Sequence, residues 1–222
     1  MSLNPAGKNP ASQLLPSEDA PKAHPRSKRE QIVKAALRVF LNNGYAATSM
    51  NRVADEAEVI KATIYSHFKD KEQLFVAIIE EATIGKLEFD FNDKERIIAL
   101  SPEEFMDELS NKFHRLEQDS EYHRFLRVVI GESERFPELA HMYVKTVIMR
   151  GMECASAYFQ HHPELGLEDP QAAAHVIAGS FVSLVVWQKI LGGCTIAPLD
   201  ILRVKNVLKT LICDRTKLNK PE

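Results

Sequence analysis

Helical spacing of apolar residues is the feature that most limits how this chain can fold. The first clear example is a single stripe made of Ile32, Val33, Ala36, Leu37 and Phe40. These positions follow the 3.6-residue period of one helix face. Apolar and polar residues do not alternate anywhere along the sequence as they do in a half-buried strand. The pattern therefore predicts an all-α protein of about nine helices.

Four short helices are predicted in the first third of the chain. Gly44 follows the first one and is typical of a left-handed C-terminal cap. Thr48 or Ser49 can cap the second helix, and breaks at 58–59 and 69–70 delimit the third and fourth. The longer helices that follow are predicted at 102–118, 121–135, 137–160, 170–191 and 199–214.

Composition divides the chain into three parts. Residues 1–25 hold five of the eleven prolines, lack periodic apolar residues and are predicted to be a disordered tail. The tail ends in basic residues, so it can act as an electrostatic arm or merely as a solubilising leader. The cluster of short helices defines an N-terminal domain at 26–86, and the longer helices define a C-terminal domain at 87–222.

Charge is unevenly distributed, although the net charge is only −3. Between Lys22 and Lys71 there are ten Lys or Arg residues and five Asp or Glu residues, whereas the rest of the chain is acidic. A basic N-terminal third on an acidic body predicts that the N-terminal part binds a polyanion.

Cysteine usage and hydropathy indicate the compartment. The cysteines Cys154, Cys194 and Cys213 are far apart, odd in number and without metal-like spacing, which favours free thiols in a reducing environment. The most apolar stretch, 178–191, is shorter than the roughly 18 residues of a membrane span and contains Lys189. A cytoplasmic protein without a membrane partner is expected.

The third predicted helix and the start of the fourth carry an unusual polar surface. The second and third helices are short and joined by a tight turn inside a three-helix unit, which describes a helix-turn-helix. In this motif the later of the two helices enters the DNA major groove. Val59, Ile64 and Phe68 form the apolar side of this predicted helix. The polar side suits phosphates and base edges, and consists of Lys61, Thr63, Tyr65, Ser66, His67 and Lys71. A solvated charge run, a surface histidine and a core tyrosine are the alternative interpretations.

The stretch "REQIVKAALRVFLNNGYAATSMNRVADEAEVIKATIYSHFKDKEQLFVAII" at 29–79 resembles the DNA-binding domain of the tetracycline-repressor (TetR) family. The resemblance covers about 50 residues, and its separate elements agree in order and distance. It implies a homodimer that binds a palindromic double-stranded DNA operator and a small hydrophobic effector. Carried over by position, the resemblance implies base contacts at Lys61, Ala62, Thr63 and Tyr65. It implies phosphate contacts at Thr48, Ser66, His67 and Lys71.

Two positions depart from the family pattern. Glu58 stands where a turn glycine is usual, and a left-handed residue there costs about 1 kcal/mol. Ile60 stands where a serine commonly caps the recognition helix, and a missing cap costs about 1 kcal/mol. We expect Glu58 to point away from the phosphates, and Ile60 and Ala62 to contact thymine methyl groups.

The C-terminal part lacks the signatures of catalysis. The sequence contains no Gly-rich phosphate loop, no nucleophile elbow and no zinc-like His/Cys cluster, so neither an enzyme nor a cofactor is predicted. Glu138 and His141 have the Glu-x-x-His spacing of di-iron bundles, but such a site needs two copies and further carboxylates. His161, His162 and His175 are interpreted as surface residues, and no metal site is predicted.

Aromatic and methionine residues of the C-terminal helices can line a pocket for a hydrophobic effector, although ordinary core packing is the alternative for each. The predicted pocket residues are Phe105, Met106, Leu109, Phe113, Phe125, Met142, Met149, Phe181 and Trp187. The last two predicted helices carry wide apolar faces that can form a four-helix dimer interface.

These features together predict a ligand-responsive DNA-binding regulator, most simply a repressor released from its operator by the effector. A constitutive DNA-binding accessory factor without a ligand is the first alternative, and a helical-bundle metalloenzyme is the second. The sequence leaves the effector, the operator, the regulated genes and the sign of regulation open, as well as any DNA contact of residues 1–25.

Overall fold

The computed structural model describes residues 27–87 and 93–213, and the predicted tail at 1–25 lies outside the described residues. All regular elements within these ranges are helical. Counting contiguous helical turns together, the described part of the chain has ten helices. They are α1 (Lys28–Ala47), α2 (Met50–Glu56), α3 (Lys61–His67), α4 (71–87), α5 (Lys94–Ile98), α6 (Pro102–Gln118), α7 (Ser120–Glu132), α8 (137–161), α9 (Pro170–Ile190) and α10 (Ile201–Cys213).

Three of the longer helices contain a π-helical stretch. The stretches are Glu80–Ile84 in α4, Val144–Met149 in α8 and Val185–Ile190 in α9. The N–H of Gly85 donates to the carbonyl of Glu80, five residues back, and the same offset joins Leu191 to Val186 at 2.9 Å. Each stretch widens its helix locally, as π-bulges commonly do near functional sites.

Side-chain caps begin most of the described helices, and the cap predicted at Thr48 or Ser49 is made by Ser49. The Ser49 hydroxyl accepts a hydrogen bond from the N–H of Arg52, and Asp70 begins α4 by accepting from Gln73 at 2.9 Å. Ser101 and Glu104 form a reciprocal capping box at the start of α6. Each cap satisfies an N–H group that the first helical turn would leave unpaired.

The prediction of helices was largely confirmed, with two differences. Helix α5 was missed because five residues are too few to show a helical period. Gly44 has φ 78° and ψ −179°, so it kinks α1 with an extended ψ instead of forming a left-handed cap, and one further helical turn follows it. This backbone conformation is open to glycine almost alone.

The described residues form two hydrophobic cores. The first joins the N-terminal helices to the C-terminal part, because Phe40 of α1 lies 5.2 Å from Phe75 of α4 and 5.6 Å from Phe125 of α7, measured between ring centroids. The second core lies among α5, α6, α8, α9 and α10 and is centred on buried Tyr158 and Phe181. The N-terminal helices and the C-terminal helices therefore share one continuous core at α7.

Helix α9 is long and apolar enough, by length and composition alone, to cross a membrane. Core helices of soluble proteins meet the same criterion, and one face of α9 packs into the second core through Ala174, Ile177 and Phe181. Its outer face exposes Val176 and Trp187. The half-buried, half-exposed pattern is that of a bundle helix with an apolar outer stripe.

Candidate DNA-binding surface and internal cavity

The turn between α2 and α3 is built by backbone hydrogen bonds. The N–H of Ala57 donates to Val53 at 2.9 Å, and the N–H of Val59 donates to the carbonyl of Ala54 at 3.0 Å. Glu58 lies between them with φ 53°, the only positive φ of a non-glycine residue in the described part of the chain. The turn thus keeps the left-handed geometry at Glu58 at a cost of about 1 kcal/mol.

Helix α3 is held by its apolar side. Ile64 and Phe68 are buried, with Phe68 ending the helix, and they anchor α3 against α1 and α2. Ile60 precedes the helix without a side-chain cap and is 72% exposed. Anchoring from one side leaves the opposite side of a seven-residue helix facing outward.

Most of the predicted DNA contacts lie together on this outward side. Lys61, Ala62, Tyr65, Ser66 and His67 are exposed, and Thr63 is half-buried beside them. The Ser66 hydroxyl donates to the carbonyl of Thr63 at 2.8 Å, so its oxygen remains able to accept. The structure therefore gathers these six residues and Ile60 on one surface, which we call the recognition surface.

Positive charge borders the recognition surface. Within the described residues, Lys61 and Lys69 have no carboxylate within 4 Å, and the Lys61 ammonium lies 5.7 Å from the Tyr65 ring centroid. Arg29 lies 5.2 Å from the Phe68 ring centroid. Arg38, by contrast, is paired with Glu56 at 2.7 Å. Lys61 and Lys69 thus place positive charge without a carboxylate partner, among the described residues, beside α3, which suits a polyanion.

Thr48 and Lys71 are turned inward. Thr48 is 1% exposed and its hydroxyl donates to the carbonyl of Gly44 at 2.8 Å, because the kink in α1 leaves that carbonyl without a helical partner. The Lys71 Nζ donates to the carbonyl of Tyr45 at 2.7 Å and lies 3.9 Å from its ring centroid. Burial lowers the pKa of Lys71. Both side chains shape the kink in α1, and their phosphate contacts stay predictions.

A carboxylate from the C-terminal part holds the same kink. The Glu132 Oε2 at the end of α7 accepts a hydrogen bond from the N–H of Tyr45 at 2.7 Å. A Cβ atom on Gly44 would lie 2.2 Å from Glu132 Oε1, so the absence of a side chain at Gly44 permits this contact. The rings of Tyr45 and Phe136 also meet, with centroids 5.2 Å apart. We call the contact between Glu132 and Tyr45 the α7 clamp.

A cavity of about 410 Å³ lies between α4 and the C-terminal helices. Its wall is mostly apolar and draws residues from α4, α5, α6, α7, α8 and α9. All three π-helical stretches contribute, through Thr83 in α4, Val147 in α8 and Val186 in α9. A cavity of this size and character suits a small hydrophobic molecule.

Three of the nine predicted pocket residues line this cavity, namely Phe105, Leu109 and Phe113. The structure places the other six elsewhere. Four of them are packed in the cores, because their aromatic or thioether groups fill the contacts between helices: Met106, Phe125, Met142 and Phe181. Met149 is 48% exposed and Trp187 is 61% exposed, since both lie on outer helix faces.

The cavity wall also contains polar residues that sequence reasoning missed. The hydroxyls of Tyr122 and Tyr143 lie 3.2 Å apart, and burial raises the pKa of both phenols, that of Tyr143 well above its usual value. The Thr83 hydroxyl has no hydrogen-bond partner within the described residues. The wall is formed by residues from separate helices, so no local spacing of residues in the sequence predicts it. The apolar helical period between Pro102 and Leu116 did predict the part of the wall that α6 contributes.

An ion-pair network borders one side of the cavity. The Arg96 guanidinium donates two hydrogen bonds to Glu108, each 2.8 Å long, and Lys112 lies 3.3 Å from the same carboxylate. The hydrogen bonds from Arg96 lower the pKa of Glu108 to about 2. Glu108 is therefore charged, and its two oxygens are occupied by Arg96, at neutral pH.

The predicted Glu-x-x-His pair does not gather further ligands. Glu138 and His141 are both exposed on α8. In the described ranges there is no group of three or more His, Cys, Asp or Glu side chains that could hold a metal ion.

This geometry, a basic helix-turn-helix on a helical body with an internal cavity, defines a class of DNA-binding transcription regulator. Two family profiles match the chain. Residues 32–78 match "Bacterial regulatory proteins, tetR family", and residues 104–207 match "AefR-like transcriptional repressor, C-terminal domain". The chain therefore belongs to the TetR family of transcription regulators, as its sequence predicts. Members of the family are regulators and not enzymes.

The curated relatives match the chain over stretches of very different length. The regulator AcrR from Shigella flexneri is 43% identical over 68 residues, which are 30% of this chain and 32% of AcrR. The match thus spans about a third of that relative's length. The regulator YhgD from Bacillus subtilis (strain 168) is 29% identical over 181 residues, covering 73% of this chain and 85% of YhgD.

Solved structures share the whole fold. SmeT, the repressor of the Stenotrophomonas maltophilia multidrug efflux pump SmeDEF, has a TM-score of 0.57 with 19% identity. The similarity covers 85% of this chain and 90% of SmeT. At this identity the likeness establishes the fold alone.

Proposed function

We propose that this protein is a homodimeric repressor that leaves its DNA operator when a small hydrophobic effector enters the cavity. The single observation that carries the proposal is the pairing of two features in one chain. At one end lies an exposed recognition surface with Lys61, which has no carboxylate partner among the described residues, and an apolar cavity of about 410 Å³ lies in the other part. Family members bind DNA operators, dimerise and bind small-molecule effectors.

Dimerisation is supported by the outer faces of α9 and α10. Trp187 of α9 and Val207 and Leu211 of α10 are each more than half exposed, as is Val176. Large apolar side chains clustered on two adjacent helices are typical of a buried partner interface. Ala174, Ile177 and Phe181 of α9 face the interior of the chain, so the outer stripe is the surface that we assign to the partner.

A dimer also explains how a seven-residue helix can be specific. One recognition surface buries little DNA, whereas two copies related by a two-fold axis read two half-sites about 34–36 Å apart. On this proposal Lys61, Thr63 and Tyr65 contact base edges, and Ser66 and His67 contact phosphates. Ile60 and Ala62 contact thymine methyl groups on the groove floor.

The α7 clamp supports a route from the cavity to the DNA-binding helices. Val129, Ile130 and Ser133 line the cavity, and Glu132, which lies among them in the same helical turn, holds the N–H of Tyr45. A ligand that displaces this end of α7 moves Glu132 relative to α1. Because α1 and α4 carry the helix-turn-helix, the separation of the two recognition surfaces changes with it.

The proposal places the protein in the cytoplasm, where operator DNA is accessible. The cavity favours it over a constitutive accessory factor, because such a factor needs no apolar internal space. A thermal-shift screen separates the two, since a ligand that binds the folded state raises the melting temperature by mass action.

The test of DNA recognition is selection of bound duplexes from a random pool by the purified protein. The proposal predicts an inverted repeat whose half-sites lie about one helical turn apart. Recovery of unrelated sequences, or a monomeric protein that shows no preference at moderate salt, would overturn it.

A further inference from the structure

Among the described residues, the cavity wall contains hydroxyl groups that have no hydrogen-bond acceptor. Thr83 is 1% exposed, lies in the π-helical stretch of α4 and lines the cavity. A threonine in a helix ordinarily donates its hydroxyl to the carbonyl about four residues back. The Thr83 Oγ1 has no such partner, nor any other within the described ranges. A buried hydroxyl without a partner is costly unless a ligand or water satisfies it.

The tyrosine pair supplies a second donor. Tyr122 and Tyr143 both line the cavity, and their hydroxyls contact each other at 3.2 Å. The pair has two hydroxyl protons and uses one of them in this contact. Neither hydroxyl has another hydrogen-bond partner in the part of the chain that the structure describes. One phenolic proton is therefore available to an acceptor in the cavity.

The two donors lie on elements that meet. Lys86, one turn after Thr83 in α4, pairs with Asp119 at 2.8 Å and with Glu121 at 2.9 Å. Asp119 and Glu121 precede Tyr122 at the start of α7. The start of α7 is thus fixed against the end of α4, next to the wall that Thr83 and Tyr122 share.

The charged groups and the remaining hydroxyl in the wall have partners within the described residues. Both Glu108 oxygens accept hydrogen bonds from Arg96, and the carboxylate also faces Lys112. The Ser133 hydroxyl donates to the carbonyl of Ile130 at 2.7 Å. A cationic ligand finds no available counter-charge at Glu108, and an anionic ligand would compete with Glu108 for Lys112.

We infer that the effector is a neutral apolar molecule with a hydrogen-bond acceptor oxygen, such as a ketone, which accepts from Thr83 and from the Tyr122–Tyr143 pair. The inference rests on the proposed function, because it specifies the ligand of the same cavity. It also gives α4, which begins at the DNA-binding helices, a direct polar contact with the effector.

Four probes with one ring system test this chemistry. The neutral ketone 1-acetonaphthone carries an acceptor, 1-ethylnaphthalene has none, 1-naphthoate is an anion and 1-naphthylmethylamine is a cation at neutral pH. Binding to the purified dimer is measured by calorimetry and by thermal shift. The ketone is expected to bind about tenfold more tightly than 1-ethylnaphthalene and more tightly than either ion. Equal binding of the ketone and the hydrocarbon, or tighter binding of an ion, overturns the inference.

Variants locate the contact. Thr83→Val keeps the shape of the side chain and is expected to weaken ketone binding about fivefold to tenfold while leaving hydrocarbon binding unchanged. Tyr143→Phe is expected to do the same, and Thr83→Ser is expected to retain affinity. The matched control is Ser110→Ala, which removes a buried hydroxyl of α6 that donates to the carbonyl of Asp107 at 3.0 Å and lies outside the cavity wall. It is expected to bind the ketone like the wild type.

The melting temperature of Thr83→Val without ligand shows whether weaker ketone binding comes from a folding defect. Since the hydroxyl has no partner, the valine variant is expected to melt at the same temperature as the wild type or higher. A lower melting temperature would show that Thr83 has an internal partner and would overturn the inference. Operator binding, measured on the same samples, separates this failure from failure of the proposed function. If the ketone and the hydrocarbon weaken operator binding equally, the inference about the acceptor oxygen is wrong but the proposed function stands.

Discussion

The recognition surface and the cavity are built in opposite ways. The recognition surface comes from the exposed residues of one short segment, 60–67, which is positioned by one local turn. The cavity takes its wall from six helices spread between Thr83 and Val186. The first is encoded by sequence spacing and the second by packing of distant segments. Surfaces of the first kind can be located from sequence alone, whereas those of the second kind require the assembled fold.

The largest effect is expected at the recognition surface. Lys61→Ala removes a predicted base contact from each half-site, so the dimer should lose about 2–6 kcal/mol of operator binding, at 1–3 kcal/mol per contact. Titration of the selected operator measures the loss. The control is Lys34→Ala, whose ammonium pairs with Glu30 at 2.7 Å on α1. Equal affinities of the two variants would remove Lys61 from the interface.

The kink in α1 joins the two regions and gives the next largest effect. Gly44→Ala forces a side chain into φ 78° and towards Glu132 Oε1, so the free energy of unfolding should fall by about 2–3 kcal/mol. Gly131→Ala is the matched control, because nothing lies within 4 Å of its Cβ position. That change within a helix should stabilise by about 0.5–1 kcal/mol. Denaturant unfolding measures the free energy of unfolding of both variants. Similar values for the two would contradict the geometry at Gly44.

These two predictions show what the sequence reveals and what it leaves out. The spacing of Ile64 and Phe68 correctly placed α3, and the turn at Glu58 has the left-handed backbone that the missing glycine suggested. The Glu132 contact with Tyr45 joins residues 87 positions apart, so no local pattern predicts it. Phe125 and Phe181 are aromatic residues of C-terminal helices, like those that line the cavity, yet they pack between helices in the cores. Which aromatic faces a void depends on packing, and sequence does not specify that.

The α7 clamp gives a smaller effect on stability. Glu132→Ala leaves the N–H of Tyr45 without its acceptor and should cost about 1–2 kcal/mol of unfolding free energy. It should also reduce the factor by which an effector weakens operator binding. Glu132→Gln keeps an acceptor oxygen and should retain most of both quantities. Glu134→Ala, at an exposed position in the following turn, serves as the control. Unchanged coupling in Glu132→Ala would exclude this route between the regions.

The smallest effect is expected at the ion pairs beside the cavity. The pKa of Glu108 is lowered to about 2, so its stabilisation is present above the ordinary pKa of 4.5 and is lost as pH falls from 4.5 towards 2. Arg96→Met should cost about 1 kcal/mol at pH 7, because the pair is partly exposed. The gap between wild type and variant should close as pH falls through that window. A gap that is independent of pH would assign the loss to packing of the arginine stem.

The central claim is that the recognition surface and the cavity form one thermodynamic system. The most direct measurement is the affinity of an effector for the free dimer and for the operator-bound dimer, beside the operator affinity with and without effector. Linkage requires the two ratios to be the same factor, and we predict that the operator weakens effector binding by about 5–150-fold. An effector affinity that is identical in the presence and absence of operator would contradict the account.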